Sequence, residues 1–145
     1  MKVHDETLTI ATRGTHDAEA GGRFVDITAR VADIVARSKV VTGLCSVFVQ
    51  HTSASLVIQE NADPRVLADL GRWMAKLAPE GGPYEHDDEG PDDMPGHLRS
   101  AITKTSETVP VRGGRLALGT WQAIYLWEHR RRAHERKVMI TVIGV

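Results

Sequence analysis

A single cysteine in 145 residues, Cys45, leaves no partner for an intrachain disulfide. The fold must then be held by its core, and a cytoplasmic setting is expected. No apolar run comes near the roughly 18 residues that a membrane-spanning helix requires. The opening stretch MKVHDETLTI carries acidic side chains where a secretory leader needs an apolar centre. Charge of neither sign dominates: 18 Lys and Arg stand against 19 Asp and Glu, with a pI near 6.6. A dedicated nucleic-acid binder carries a clear positive surplus, so no nucleic-acid or membrane partner is expected. There is no internal repeat and no linker. Residues 1–145 read as one domain, long enough for a real core, with an ordinary 41% hydrophobic content.

Hydrophobic periodicity sorts what is present. Residues 6–12 alternate as a strand. Ile27, Val31, Ile34 and Val35 recur on one helical face, with Asp26 as the expected cap. Residues 43–50 and 54–60 read as strands that form a hairpin through His51-Thr52-Ser53. Asp63-Pro64 opens a helix whose buried stripe is Leu67, Leu70, Met74 and Leu77. Residues 79–96 form an unusual loop, and Pro95 starts a short helix. A strand over 106–111, a turn at Arg112-Gly113-Gly114, one long strand over 115–129 and a last strand over 137–144 complete the chain. Non-parallel strands with segregated helices predict an α+β fold.

Three stretches could carry chemistry. In His51-Thr52-Ser53-Ala54-Ser55, hydroxyls and backbone N–H groups could converge on an anion, although a Ser/Thr-rich turn explains the composition as simply. The second is YEHDDEGPDDMPGHLRS, residues 84–100, where His86 and His97 bracket a run of carboxylates. A solvated acidic loop is the default for such a run, yet four of the six prolines stiffen residues 79–96. With His51, three imidazoles would suit zinc or a similar divalent ion, though the spacing matches no local metal signature. In the third, residues 118–136, Trp121, Tyr125 and Trp127 would share a packed face. The arginines that follow, from Arg130 on, could fork onto a phosphate or pair with an acidic loop of a neighbouring subunit.

Three blocks, GLCSVFVQHTSASLVIQENADP, EHDDEGPDDMPGHLRS and GGRLALGTWQAIYLWEHR, together resemble the YjbQ family, also called UPF0047 or secondary thiamine-phosphate synthase. The resemblance runs in order through nearly the whole chain. It implies a compact, mostly antiparallel α+β sandwich that assembles as a homotrimer, with a site near subunit interfaces. It places catalytic roles on His51, Glu60, Glu128 and His97, and substrate contacts on Thr52, Ser53, Asn61, Asp93, Gln122 and Arg130. Metal ligation falls on His51, His86 and His97, for zinc or magnesium. The implied activity couples a pyrimidine pyrophosphate to a thiazole phosphate: the thiazole nitrogen attacks the methylene carbon as pyrophosphate leaves. A non-enzymatic trimer that binds a metal or a metabolite is the alternative. The chain departs from the family pattern at Asp93, usually asparagine, at Gly96, usually alanine, and at Ala123, usually glycine.

Overall fold

The computed structural model of the chain describes residues 1–14 and 23–145. Within them the order is β1 (Lys2–Ala11), β2 (Arg23–Asp26), α1 (Thr28–Ser38), β3 (Thr42–Val49), β4 (Ala54–Glu60), α2 (Pro64–Leu77) and α3 (Asp93–Ile102). β5 (Ser106–Arg112), β6 (Arg115–Leu116), β7 (Gln122–Glu128) and β8 (Glu135–Gly144) follow. The strands make two antiparallel sheets, one ordered β1-β8-β3-β5-β6 and the other β2-β7-β4. The α+β class is the one that the periodicity implied, and the antiparallel sandwich is the one that the family resemblance implied.

The core lies where the sheets and α1 meet. Alternation turns Leu8 and Ile10 of β1, Cys45 and Val47 of β3, and Ile140 and Val142 of β8 inward. Leu56 of β4 and Ile124 and Leu126 of β7 face them, and α1 contributes Val31, Ile34 and Val35. Asp26 does serve the start of α1, since its Oδ1 accepts from Thr28 N–H at 2.9 Å, although Ile27 holds the cap position. Asp63 caps α2 as expected, accepting from Arg65 N–H at 2.9 Å with Pro64 in the first turn.

Four sequence expectations are corrected. β3 and β4 are not a hairpin: β3 pairs with β5 and β8, β4 with β7, and residues 50–53 form a corner between sheets. Each strand has a side to bury, and stacking sheets face to face buries both sides against one core. The long strand over 115–129 also breaks. Only Arg115–Leu116 stays with β5, and the chain crosses to the second sheet before Gln122. Trp121 falls in that crossing and is 62% exposed. Its expected place beside Tyr125 and Trp127 is taken by Phe24 of β2, a strand the sequence did not announce, which stacks on Trp127 at 4.4 Å. The α2 stripe is shallower than expected: Met74 is buried, Leu67 and Leu70 are half-buried, and Leu77 is exposed.

The outer face of the larger sheet is left apolar in rows. Val3 and Leu44 both stand opposite Ile143, and Phe48 stands opposite Met139, all of them exposed. No described helix is long and apolar enough to cross a membrane.

Gly43 and Gly144 face each other across β3 and β8, and a Cβ on Gly43 would stand 2.0 Å from the Ile143 carbonyl oxygen. Backbone is what would have to move. Gly43→Ala is therefore expected to lower stability by about 1–3 kcal/mol, as overpacking does. A urea midpoint unchanged from the parent chain would contradict this close approach.

Candidate metal centre

Helix α3 begins two residues before Pro95. The first ring of the helix closes from Gly96 N–H to the Asp92 carbonyl at 3.0 Å, so Pro95 sits in the first turn, where no N–H is required. The earlier start puts Asp93 and His97 four residues apart on one helical face. His86 comes up from the loop, donating Nε2–H to Asp93 Oδ2 at 2.6 Å and standing 3.4 Å from Glu89 Oε2. His97 Nε2 lies 3.2 Å from the same Asp93 oxygen. Donor atoms of His86, Glu89, Asp93 and His97 all lie within 4.8 Å of one another.

The tautomer of His97 sharpens what this group can do. Its Nδ1 is 3.1 Å from the Thr52 carbonyl oxygen, which can only accept, so the proton of a neutral ring belongs on Nδ1. Nε2 then offers a lone pair toward a carboxylate oxygen. Two acceptors at that distance need a proton or a cation between them. A backbone carbonyl that fixes the far nitrogen of a histidine is also how metal-bound imidazoles are oriented.

Arg130, from the turn after β7, holds the carboxylates in place. Its Nε donates to Asp92 Oδ2 at 2.9 Å, its Nη1 to Asp93 Oδ1 at 2.8 Å and its Nη2 to the Glu89 carbonyl at 3.1 Å. Asp92 Oδ2 also accepts from Arg131 N–H at 2.8 Å, while the Arg131 guanidinium forks onto Glu80. One oxygen of Asp93 is thus engaged by arginine and the other faces the imidazoles. Burial opposes the charge on Asp92 and Asp93, but the hydrogen bonds and nearby positive charge outweigh it and hold both carboxyls below their usual range. The hydrogen bond to Asp93 raises the pKa of His86 despite some desolvation.

The other residues suggested for the site place no side-chain donor atom in this cluster. His51 is not among the clustered donors: its Nε2 accepts from Lys137 N–H at 2.7 Å. Burial and the charge of Arg136 lower its pKa, which keeps the ring neutral for that bond. Thr52 contributes its carbonyl. Ser53 receives Arg136 Nη2 on both its carbonyl and its hydroxyl oxygen at 3.1 Å. Glu128 is fully buried, forked by Arg136 and bonded by Thr12 Oγ1 at 2.6 Å and by Arg130 N–H. Glu60, Asn61 and Gln122 lie at the far end of β4 and β7. Six residue steps along β4 place that end roughly 20 Å from Ala54. Gln122 Oε1 accepts from Gly119 N–H at 2.8 Å.

Sequence reasoning missed Glu89 and Asp92 as individuals within the acidic run. The available signal was the three-four-four spacing of His86, Glu89, Asp93 and His97, obscured by starting the helix at Pro95. It also missed the buried hydrogen bond of 2.8 Å between Ser55 Oγ and His129 Nε2.

Comparisons with known proteins agree with one another. The family model described as "UPF0047 protein YjbQ-like" matches residues 13–145. A UPF0047 protein of Synechocystis is 54% identical over 99% of this chain and 94% of its own. The UPF0047 protein YjbQ of Escherichia coli O157:H7 is 41% identical over 95% of this chain and 94% of its own. A YbjQ-like protein of unknown function from Sulfolobus solfataricus superposes with a TM-score of 0.87 at 26% identity, over 99% of each chain.

The raised pKa of His86 gives a direct test. Followed by proton NMR in metal-free protein, the His86 ring is expected to titrate above the reference of about 6.5, because deprotonation loses the charged bond to Asp93. Asp93→Asn should bring the midpoint back toward the reference. The interaction favours the folded state at low pH and fades as pH rises through the raised value. A midpoint at or below the reference in the parent chain would contradict the arrangement.

Proposed function

The chain belongs to the YjbQ-like UPF0047 family, and from that premise we propose that it is a divalent-metal enzyme acting on a phosphate-bearing small molecule. His86, Glu89, Asp93 and His97 are the set that would hold the ion. The observation that carries this is the convergence of His86, Glu89, Asp93 and His97 donor atoms within 4.8 Å, with His97 Nε2 3.2 Å from Asp93 Oδ2 and its other nitrogen bonded to the Thr52 carbonyl. Two imidazoles with carboxylates suit zinc better than magnesium, which takes oxygen ligands.

An ion there supplies a Lewis acid for phosphoryl oxygens. The chain's own groups shape what can approach. The Arg130 and Arg131 guanidiniums are engaged by carboxylates, so neither is a ready phosphate fork. A phosphate would meet an acidic surface unless a cation drew it in. The finer reading is thiamine-phosphate synthesis, with nitrogen–carbon bond formation and departure of pyrophosphate from the same carbon. A hollow of about 290 Å³ beside His86, walled by Tyr84, Met94 and Pro95, offers an apolar surface for a small ring.

We also propose assembly as a homotrimer through the apolar outer face of the larger sheet, around Leu44, Phe48 and Ile143. A soluble chain that leaves such rows exposed has a surface suited to covering by a copy of itself.

Two measurements test these proposals. Purified protein loaded with zinc should hold one ion per chain by elemental analysis, and His97→Ala and Asp93→Ala should each lose at least tenfold in affinity with unchanged circular dichroism. Pyrophosphate release should fall with the metal. Full occupancy in both variants would overturn the metal set, whereas metal without turnover would make the protein a binding module. Light scattering should give three times 15.9 kDa, and Phe48→Glu should shift the mass toward one chain. A parent chain that runs as a monomer at micromolar concentration would end the assembly proposal.

A further inference from the structure

A larger cavity, of about 530 Å³, lies along the free edge of β4, between α2 and the chain that follows α3. Its size falls within the roughly 300–1,000 Å³ of small-molecule sites. Leu70, Trp73 and Ile102 form apolar walls, with Trp73 55% and Ile102 53% exposed.

The backbone of β4 gives this cavity its polar pattern. Antiparallel pairing turns the N–H and C=O of alternate residues to opposite edges. Leu56 N–H points away from β7, since it donates to the Lys104 carbonyl at 2.7 Å. Ile58, two residues on, therefore turns its N–H and C=O to the same edge, and no described residue pairs with them. An edge strand left open in this way is a template for a hydrogen-bonding partner. Trp127 also lines the cavity, is 2% exposed, and has an Nε1–H with no hydrogen-bond partner among the described residues. Lys104 and Glu107 stand at the mouth 3.4 Å apart and neutralise each other.

We propose that this cavity binds a neutral, flat nitrogen heterocycle that presents an acceptor and a donor side by side, as a nucleobase edge does. The acceptor takes Ile58 N–H and the donor gives to Ile58 C=O, while the ring lies against Trp73 and Leu70. The charge balance at the mouth selects against an anion, which separates this site from the acidic metal centre. The proposal does not rest on the metal centre or its reaction.

The test uses the full, isotope-labelled chain with adenine as the probe and purine, which lacks the exocyclic donor, as its comparator. Adenine should shift the Ile58 amide and quench tryptophan fluorescence, and purine should bind roughly fivefold to tenfold more weakly, as expected for one lost hydrogen bond. Trp73→Ala, at an exposed position, should weaken adenine several-fold and leave zinc binding unchanged. Equal affinity for adenine and purine, or an Ile58 amide that stays fixed at millimolar adenine, would overturn the proposal. An Ile58 amide covered by a second copy would appear as the fixed amide, and would overturn it too.

Discussion

Arg130 lies between two adjacent carboxylates, and that placement fixes what the acidic loop can be. Without it, Asp92 and Asp93 would add two close negative charges to a segment already rich in them. With it, each carboxylate keeps a charged hydrogen bond at 2.8–2.9 Å and a fixed orientation. One oxygen of Asp93 is left to face His86 and His97. The same contacts commit the guanidinium that looked available for a phosphate. The charge that organises the site is therefore not also free to bind an anion.

A second ion pair works at one remove. Glu128 and Arg136 are buried together, and removing one member of such a pair costs about 3–5 kcal/mol by leaving the other charge unpaired. Arg136 also holds both oxygens of Ser53, which anchors the corner between the sheets. Thr52 is the next residue back, and its carbonyl orients His97. Glu128 thus reaches the histidine–carboxylate cluster through corner, carbonyl and imidazole, and through the Arg130 N–H that it accepts, without being one of the clustered donors.

Much of the fold was legible because period is a local property. The inward alternation of β1 and β8, the face of α1 and the Asp63-Pro64 start of α2 follow from side chains within a few residues. The hairpin at 51–53 and the unbroken strand over 115–129 failed for one reason: whether two strands pair or stack is decided by core burial across the whole chain. β2 is four residues long, and its place beside β7 follows from Phe24 meeting Trp127, which no local pattern states. In the site, the histidine-flanked loop could be singled out from composition, since proline and imidazole among carboxylates are unusual. Which imidazoles meet could not. His86 and His97 converge through the helical spacing of Asp93 and His97, while His51 is held at the sheet corner by Lys137 N–H.

The most direct measurement is anomalous diffraction at the zinc edge from crystals of the zinc-loaded protein. The account requires a single strong peak per chain between the Nε2 atoms of His86 and His97, within bonding distance of Asp93 Oδ2, with Arg130 still on Oδ1. A peak at His51, or none near residues 86–97 at saturating zinc, would contradict it.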